Sequence, residues 1–217
     1  MSGRTIVVDY GIGNVFSVVN ALREIGDEPE LTGDLKSIRS AERVILPGVG
    51  AFARAMDALH GNGISDALRE FAATERPFLG ICIGMQVLMD ESTEFGQTNG
   101  LGLVPGRVER IASQSPYGQR LRVPHIGWAT LAPSGGTAAE RWNGSALNAA
   151  EDPDEAVYFV HSYHCVPADP AHRIAHVDYD GLQVTAAIRR DNITGVQFHP
   201  ERSGKAGQSI LREFVRR

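Results

Sequence analysis

The chain has 217 residues, 42% of them hydrophobic and 22% charged, which excludes disorder and collagen-like repeats and allows one large domain or two small ones. A formal net charge of -5, a pI near 5.8, and a single C-terminal basic cluster (Arg212, Arg216, Arg217) diluted by Glu213 leave too little positive charge for phosphate-driven nucleic-acid binding. Two cysteines, Cys82 and Cys165, cannot build a disulfide framework. They read as free thiols of a reducing compartment.

In chain order, the β-branched run Thr5–Val8 predicts a buried strand. It is stopped by Asp9, too short for a signal-peptide core, and no later stretch approaches the ~20 apolar residues of a membrane helix, so a cytoplasmic protein is expected. Asn14 is placed as an N-cap, and Val15, Val18, Val19, Leu22 and Ile25 recur at helical spacing up to Gly26. Arg43–Leu46 predicts a strand ended by Pro47-Gly48, followed by helices around Phe52, Met56 and Leu59 and over Ile64–Ala73. Pro77–Cys82 reads as a strand and Ile83–Met89 as a helix. Repeated strand–helix–strand units predict a doubly wound, mostly parallel α/β sheet with helices on both faces.

The second half differs. Val108–Ile111 and Leu121–Val123 read as short strand pieces, and the Gly-, Ser-, Ala- and Thr-rich Ala132–Asn148 as containing a surface loop. Val157–Val160, Ile174–Val177, Val184–Ile188 and Thr194–Phe198 are closely spaced strands, which predicts an antiparallel extension of the sheet. A last helix opens at Ser203 or Gly204 and buries Ile210, Leu211, Phe214 and Val215. With neither an internal repeat nor a linker, residues 1–217 are expected to form one domain.

Gly80-Ile81-Cys82-Ile83-Gly84 lies between a predicted strand and a predicted helix, the form of a nucleophile elbow with Cys in place of Ser. A sharp turn lifts the side chain out of the sheet, the helix N-terminus favours thiolate, and the Ile83 N–H can serve a developing oxyanion. The alternative is a small buried core cysteine. His199-Pro200-Glu201 follows another strand, and an extended i, i+2 pair lets Glu201 reach the His199 imidazole, giving base and orienter. The alternative there is a surface His-Pro turn with a solvated Glu201.

Gly80–Gln86 together with His199–Glu201 resembles the class I (triad) glutamine amidotransferases. More narrowly, Asp9–Asn14 with Ser17-Val18, Leu46–Phe52, Val123–Trp128, Phe159–Tyr163 and Gln197–Gly204 resemble the glutaminase subunits of imidazole glycerol phosphate synthases, in order and over nearly the whole chain. Ala129 departs from the Asn often found after Gly-Trp in that family. The resemblance implies a glutaminase of histidine biosynthesis with Cys82 as nucleophile, His199 as base and Glu201 as orienter. It implies an oxyanion site at Ile83 and in the Gly48-Val49-Gly50 loop. That loop, read alone, is equally an ordinary strand-ending turn. It implies contacts to L-glutamine from Gly50, Gln86, Ser162 and Tyr163, and a heterodimer whose other member is a (β/α)8-barrel cyclase. His125 and Trp128 stand as partner-interface residues, Trp128 being otherwise a core tryptophan. Rival readings are a glutaminase serving anthranilate, purine or pyridoxal phosphate synthesis, a non-catalytic regulatory subunit, and a cysteine hydrolase of esters or peptides.

No cofactor or metal is expected. Gly11-Ile12-Gly13 lacks the third glycine of a dinucleotide fingerprint, since Phe16 occupies that place, and Gly204-Lys205-Ala206 fails as a Walker loop. His161, His164 and Cys165 have no metal-type spacing, Cys165 reads as a structural thiol, and His172 and His176 read as a solvated pair.

Overall fold

The structure, a computed structural model, describes residues 4–149 and 155–217. The first half alternates as expected. It runs β1 (Thr5–Val8), α1 (Val15–Glu24), β2 (Glu30–Thr32), α2 (Leu35–Ser40), β3 (Arg43–Gly48), α3 (Phe52–Gly61), α4 (Ile64–Ala72), β4 (Phe78–Cys82) and α5 (Ile83–Gln86). The middle of the chain follows with β5 (Met89–Ser92), β6 (Thr98–Asn99), β7 (Val104–Arg110), β8 (His125–Thr130), β9 (Ala132–Pro133), α6 (Ala138–Trp142), β10 (Ala156–His161) and β11 (Tyr163–Pro167). The chain closes with β12 (Arg173–Tyr179), β13 (Leu182–Arg190), β14 (Ile193–Val196) and α7 (Gly204–Val215).

The main sheet has eight strands in the order β2-β1-β3-β4-β14-β13-β12-β9. The first five are parallel and the last three antiparallel. Strands β1, β3 and β4 are buried along their full length, which is why they read as continuous apolar runs rather than alternating ones. The chain steps from β1 out to β2, then back across β1 to β3. Right-handed crossovers therefore put α1 on one face and α2, α3 and α4 on the other. The packing agrees, with α1 against α7 and both α2 and α3 against α4. The reversal creates a switch point at the C-terminal ends of β1 and β3, where ligands of such sheets bind. Beside the main sheet lie the β8–β10 pair and a four-stranded sheet β11-β7-β5-β6.

Several expectations need correction. The helix after Cys82 ends at Gln86, because the Val87, Leu88 and Met89 carbonyls accept bonds from the 101–104 segment and β5 begins at Met89. Leu121–Val123 forms no strand. The 132–148 stretch holds the expected loop residues and also carries β9 and α6. Thr137 and Glu140 close a capping box on α6, and buried Trp142 donates its Nε1–H to the Ile174 carbonyl. Asn14 precedes α1 but its side chain caps nothing. His172 and His176 are not a solvated pair, for His176 Nδ1 lies 3.0 Å from Ser134 Oγ. Strand β2 and helix α2, the latter capped by Asp34 on the Ser37 N–H at 2.7 Å, were not foreseen. Among the described residues no helix is long and apolar enough to cross a membrane.

Candidate active site

Cys82 ends β4 with φ +55°, a left-handed conformation costly for any residue with a Cβ. The turn closes because its flanks are glycines. A Cβ at Gly80 would meet the Gly84 carbonyl oxygen at 2.6 Å, and one at Gly84 would meet the Leu46 carbonyl oxygen at 1.8 Å. The elbow therefore packs onto β3 at backbone distance. The thiol, 5% exposed, stands at the start of α5 and opens into a cavity of about 340 Å³, large enough for an amino-acid ligand.

His199 follows β14, which is hydrogen-bonded in parallel to β4, so the two strand ends bring His199 to Cys82 across 117 residues. The Nδ1 nitrogen of His199 lies 2.8 Å from Glu201 Oε1, and both side chains are almost wholly enclosed. The backbone is anchored as well: the His199 N–H donates to the Tyr158 carbonyl, and Ser203 Oγ donates to the His199 carbonyl. Burial alone lowers the imidazole pKa. Cys82 and Glu201 more than offset it and hold the ring well above the ordinary histidine range. The Nε2 nitrogen closes no hydrogen bond of normal geometry, so Cys82 acts on it here by proximity and charge. Glu201 does not line the cavity but sits behind His199, the place of an orienter rather than a base.

Val49, Gly50, Ile83, Gln86, Ser162 and Tyr163 all line the cavity. Gln86 Nε2 donates to the Tyr163 carbonyl at 3.1 Å and to Gln197 Oε1 at 2.9 Å. That leaves its amide oxygen for a ligand. Gln197, fully buried, donates in turn to Cys82 Sγ at 3.6 Å. The sequence reading placed Gln197 in a matching stretch but gave it no role, because one glutamine in a strand-to-loop exit has no spacing signature. Glu94, and His161 from the Phe159–Tyr163 stretch, also line the cavity, a place the sequence reading gave to neither. The carboxylate of Glu94 accepts the Phe52 N–H at 2.6 Å at the start of α3, which ties it to the helix N-terminus.

The two interface residues part company. Trp128 is 58% exposed, whereas His125 is 6% exposed and stacks on Phe159. His125 offers no surface to a partner. It lies against His161, whose Nδ1–H donates to the Tyr163 carbonyl at 2.8 Å and whose Nε2 sits 3.3 Å from His125 Nδ1. Neutral His161 thus accepts from His125, and a proton on Nε2 would meet another N–H. Burial lowers its pKa to about 3, helped by neighbouring histidines and opposed by the Tyr163 bond.

The unfolded chain therefore binds a proton at His161 that the folded chain does not. This stability is present above pH ~6.5 and is lost as pH falls toward 3, a loss of about 2 kcal/mol at pH 5. Urea midpoints at about pH 7.5 and 5 should show the fall, with a shallower slope in His161→Gln. Equal slopes in the two proteins would remove His161 as the cause.

A strained cysteine at a strand–helix elbow, a histidine just past the end of the neighbouring strand and a buried carboxylate behind it form the arrangement that cysteine–histidine–carboxylate enzymes use, here on a doubly wound sheet. The sequence model of the family described as glutamine amidotransferase class-I matches residues 6–217. The imidazole glycerol phosphate synthase subunit HisH 1 of Legionella pneumophila (strain Lens) is 41% identical, covering 96% of this chain and 97% of the relative. The subunit HisH of Rhodospirillum rubrum is 44% identical, covering 98% of each chain. The chain belongs to the class-I glutamine amidotransferases and, within them, to the family of the imidazole glycerol phosphate synthase subunit HisH. Solved structures repeat the fold at low identity. PurLQS from Thermotoga maritima matches with a TM-score of 0.74 and 20% identity, covering 100% of this chain and 99% of that one. A crystal structure of a glutamine amidotransferase matches at 0.67 and 18%, covering 97% of each chain.

Proposed function

We propose that this chain is the glutaminase subunit of an imidazole glycerol phosphate synthase, a cytoplasmic enzyme of histidine biosynthesis built as one amidotransferase domain. It hydrolyses L-glutamine to glutamate and ammonia and passes the ammonia to a cyclase subunit. The meeting of Cys82 and His199 at one cavity, with Glu201 held behind the imidazole, carries the reading. Cys82 thiolate attacks the side-chain amide carbon of glutamine. The C–N bond breaks, His199 protonates the departing nitrogen, and a glutamyl thioester remains. His199 then takes a proton from water as it attacks the thioester, releasing glutamate and restoring the thiol. Glu201 holds the imidazole through Nδ1–H and stabilises its cationic form. The Ile83 amide and the Gly48-Val49-Gly50 loop serve the oxyanion. Ser162, Tyr163, Gly50 and the Gln86 amide oxygen orient the substrate.

Free ammonia is protonated and lost in water, so the product needs a covered exit. Exposed Ile126, Trp128 and Val160 lie on one face of the β8–β10 pair, with Ile126 opposite Val160. Val160 and half-exposed Val49 also edge the cavity. An apolar rim at the site mouth supports docking of a (β/α)8-barrel cyclase there, with Trp128 as an anchor.

Glutamate release from L-glutamine is measured for the chain alone, then with its cyclase partner and the ribotide ligand of that cyclase. Release that rises when partner and ligand are added is expected. Silence in both arms would count against the assignment.

A further inference from the structure

Tyr10 lies at the end of the β1 edge of the switch point and is 3% exposed. Its hydroxyl is fully enclosed and has no hydrogen-bond partner among the described residues. A buried, unpaired hydroxyl destabilises a fold, and replacing it with an apolar group of the same shape is cheap. Its position explains what it could serve. A Cβ built on Gly48 would come within 2.7 Å of the Tyr10 hydroxyl oxygen and within 2.9 Å of both the Gly84 amide nitrogen and Ile83 Cβ. Gly48 is itself the cross-strand partner of Cys82. The phenol thus reaches over Gly48 toward the elbow, on the strand beside the nucleophile.

We propose that the Tyr10 hydroxyl is a hydrogen-bond donor held for the Cys82 thiolate, engaged when the elbow becomes charged. This rests on the reading of Cys82 as the nucleophile. A thiolate in a dry site needs donors in place of water; among the described residues the Gln197 amide donates to Cys82 at 3.6 Å, and the His199 ring stands beside it. Burial first, and the Cys82 charge second, keep the phenol protonated well above its ordinary range. It therefore remains a donor throughout the working pH range. The glycine at position 48 is what permits the approach, since any larger residue would stand between the ring and the elbow.

The test is Tyr10→Phe in the full chain, read by the pH dependence of iodoacetamide alkylation and by thermal melting. Cys165 is completely buried, so Cys82 is the reporting thiol, and Cys82→Ala supplies the blank. In Tyr10→Phe the alkylation midpoint should rise by about one pH unit, a tenfold loss of thiolate preference. The melting temperature should stay level or rise, because an unpaired hydroxyl has been removed. An unmoved midpoint overturns the proposal while leaving the nucleophile intact. A fall in melting temperature overturns it too, since the hydroxyl would then already have a structural partner in the resting protein. Labelling that persists in Cys82→Ala overturns both the proposal and the nucleophile assignment on which it stands.

Discussion

Cys82→Ala lowers glutamate release from L-glutamine by at least about 10⁴-fold, while the complex with its cyclase keeps making product when ammonium salts are supplied. The size follows from role. In the proposed mechanism the sulfur is the atom that bonds to carbon, and Glu201 cannot replace it, because it sits behind the imidazole and lines no part of the cavity. The sparing of ammonium-driven synthesis follows from placement. Cys82 lies inside the cavity and is 5% exposed, whereas the apolar rim of Ile126, Trp128 and Val160 is left unchanged. Losing one sulfur atom at this position leaves the glycines that shape the elbow untouched, so the variant should also fold and assemble. The two activities are to be measured on the same preparation. Hydrolysis within tenfold of wild type, or loss of ammonium-driven synthesis alongside it, would refute the division of labour between a thiol site and a docked acceptor site.

What the sequence discloses and what it hides divide along a physical line. Strands β1, β3 and β4 are legible because both their faces are buried, so apolar runs are all they can be. The elbow is legible because close backbone approach leaves glycine as the residue that fits at positions 80 and 84. The short α5 is not, since Val87, Leu88 and Met89 continue a helical apolar pattern. What ends the helix is a bond set made by distant backbone, from Leu101 to Val87 and from Leu103 and Val104 to Leu88. Helix α6 was within reach. The run Thr137-Ala138-Ala139-Glu140 is a capping box in sequence as well as in space. Gln197 and Tyr10 were not, because their significance lies in a partner on another strand, or in having none. His125 was misjudged for a related reason. It shares β8 with exposed Trp128, but residue 125 falls on the opposite face from 126 and 128, and the pleat turns it inward against Phe159.

Gly84→Ala is expected to cost about 4 kcal/mol or more of stability and to abolish glutaminase activity with it. The added Cβ would sit 1.8 Å from the Leu46 carbonyl oxygen and 2.8 Å from its carbon. Those are backbone atoms of β3, which is hydrogen-bonded to β1 on one side and β4 on the other. No rotamer change can relieve the overlap. Either the centre of the sheet shifts or α5 lifts away from it, and α5 carries Ile83 and Gln86 while its first turn sets the conformation of Cys82. Gly61→Ala is the control. It ends α3, has no atom within 4 Å of the new methyl group and no left-handed backbone, so its effect should be within about 1 kcal/mol and stabilising in sign. Urea unfolding midpoints of the two variants, taken under one buffer condition, decide the matter. A Gly84→Ala protein within about 1 kcal/mol of wild type would mean that the elbow rides on β3 with room to move, and that its glycine serves conformation rather than contact.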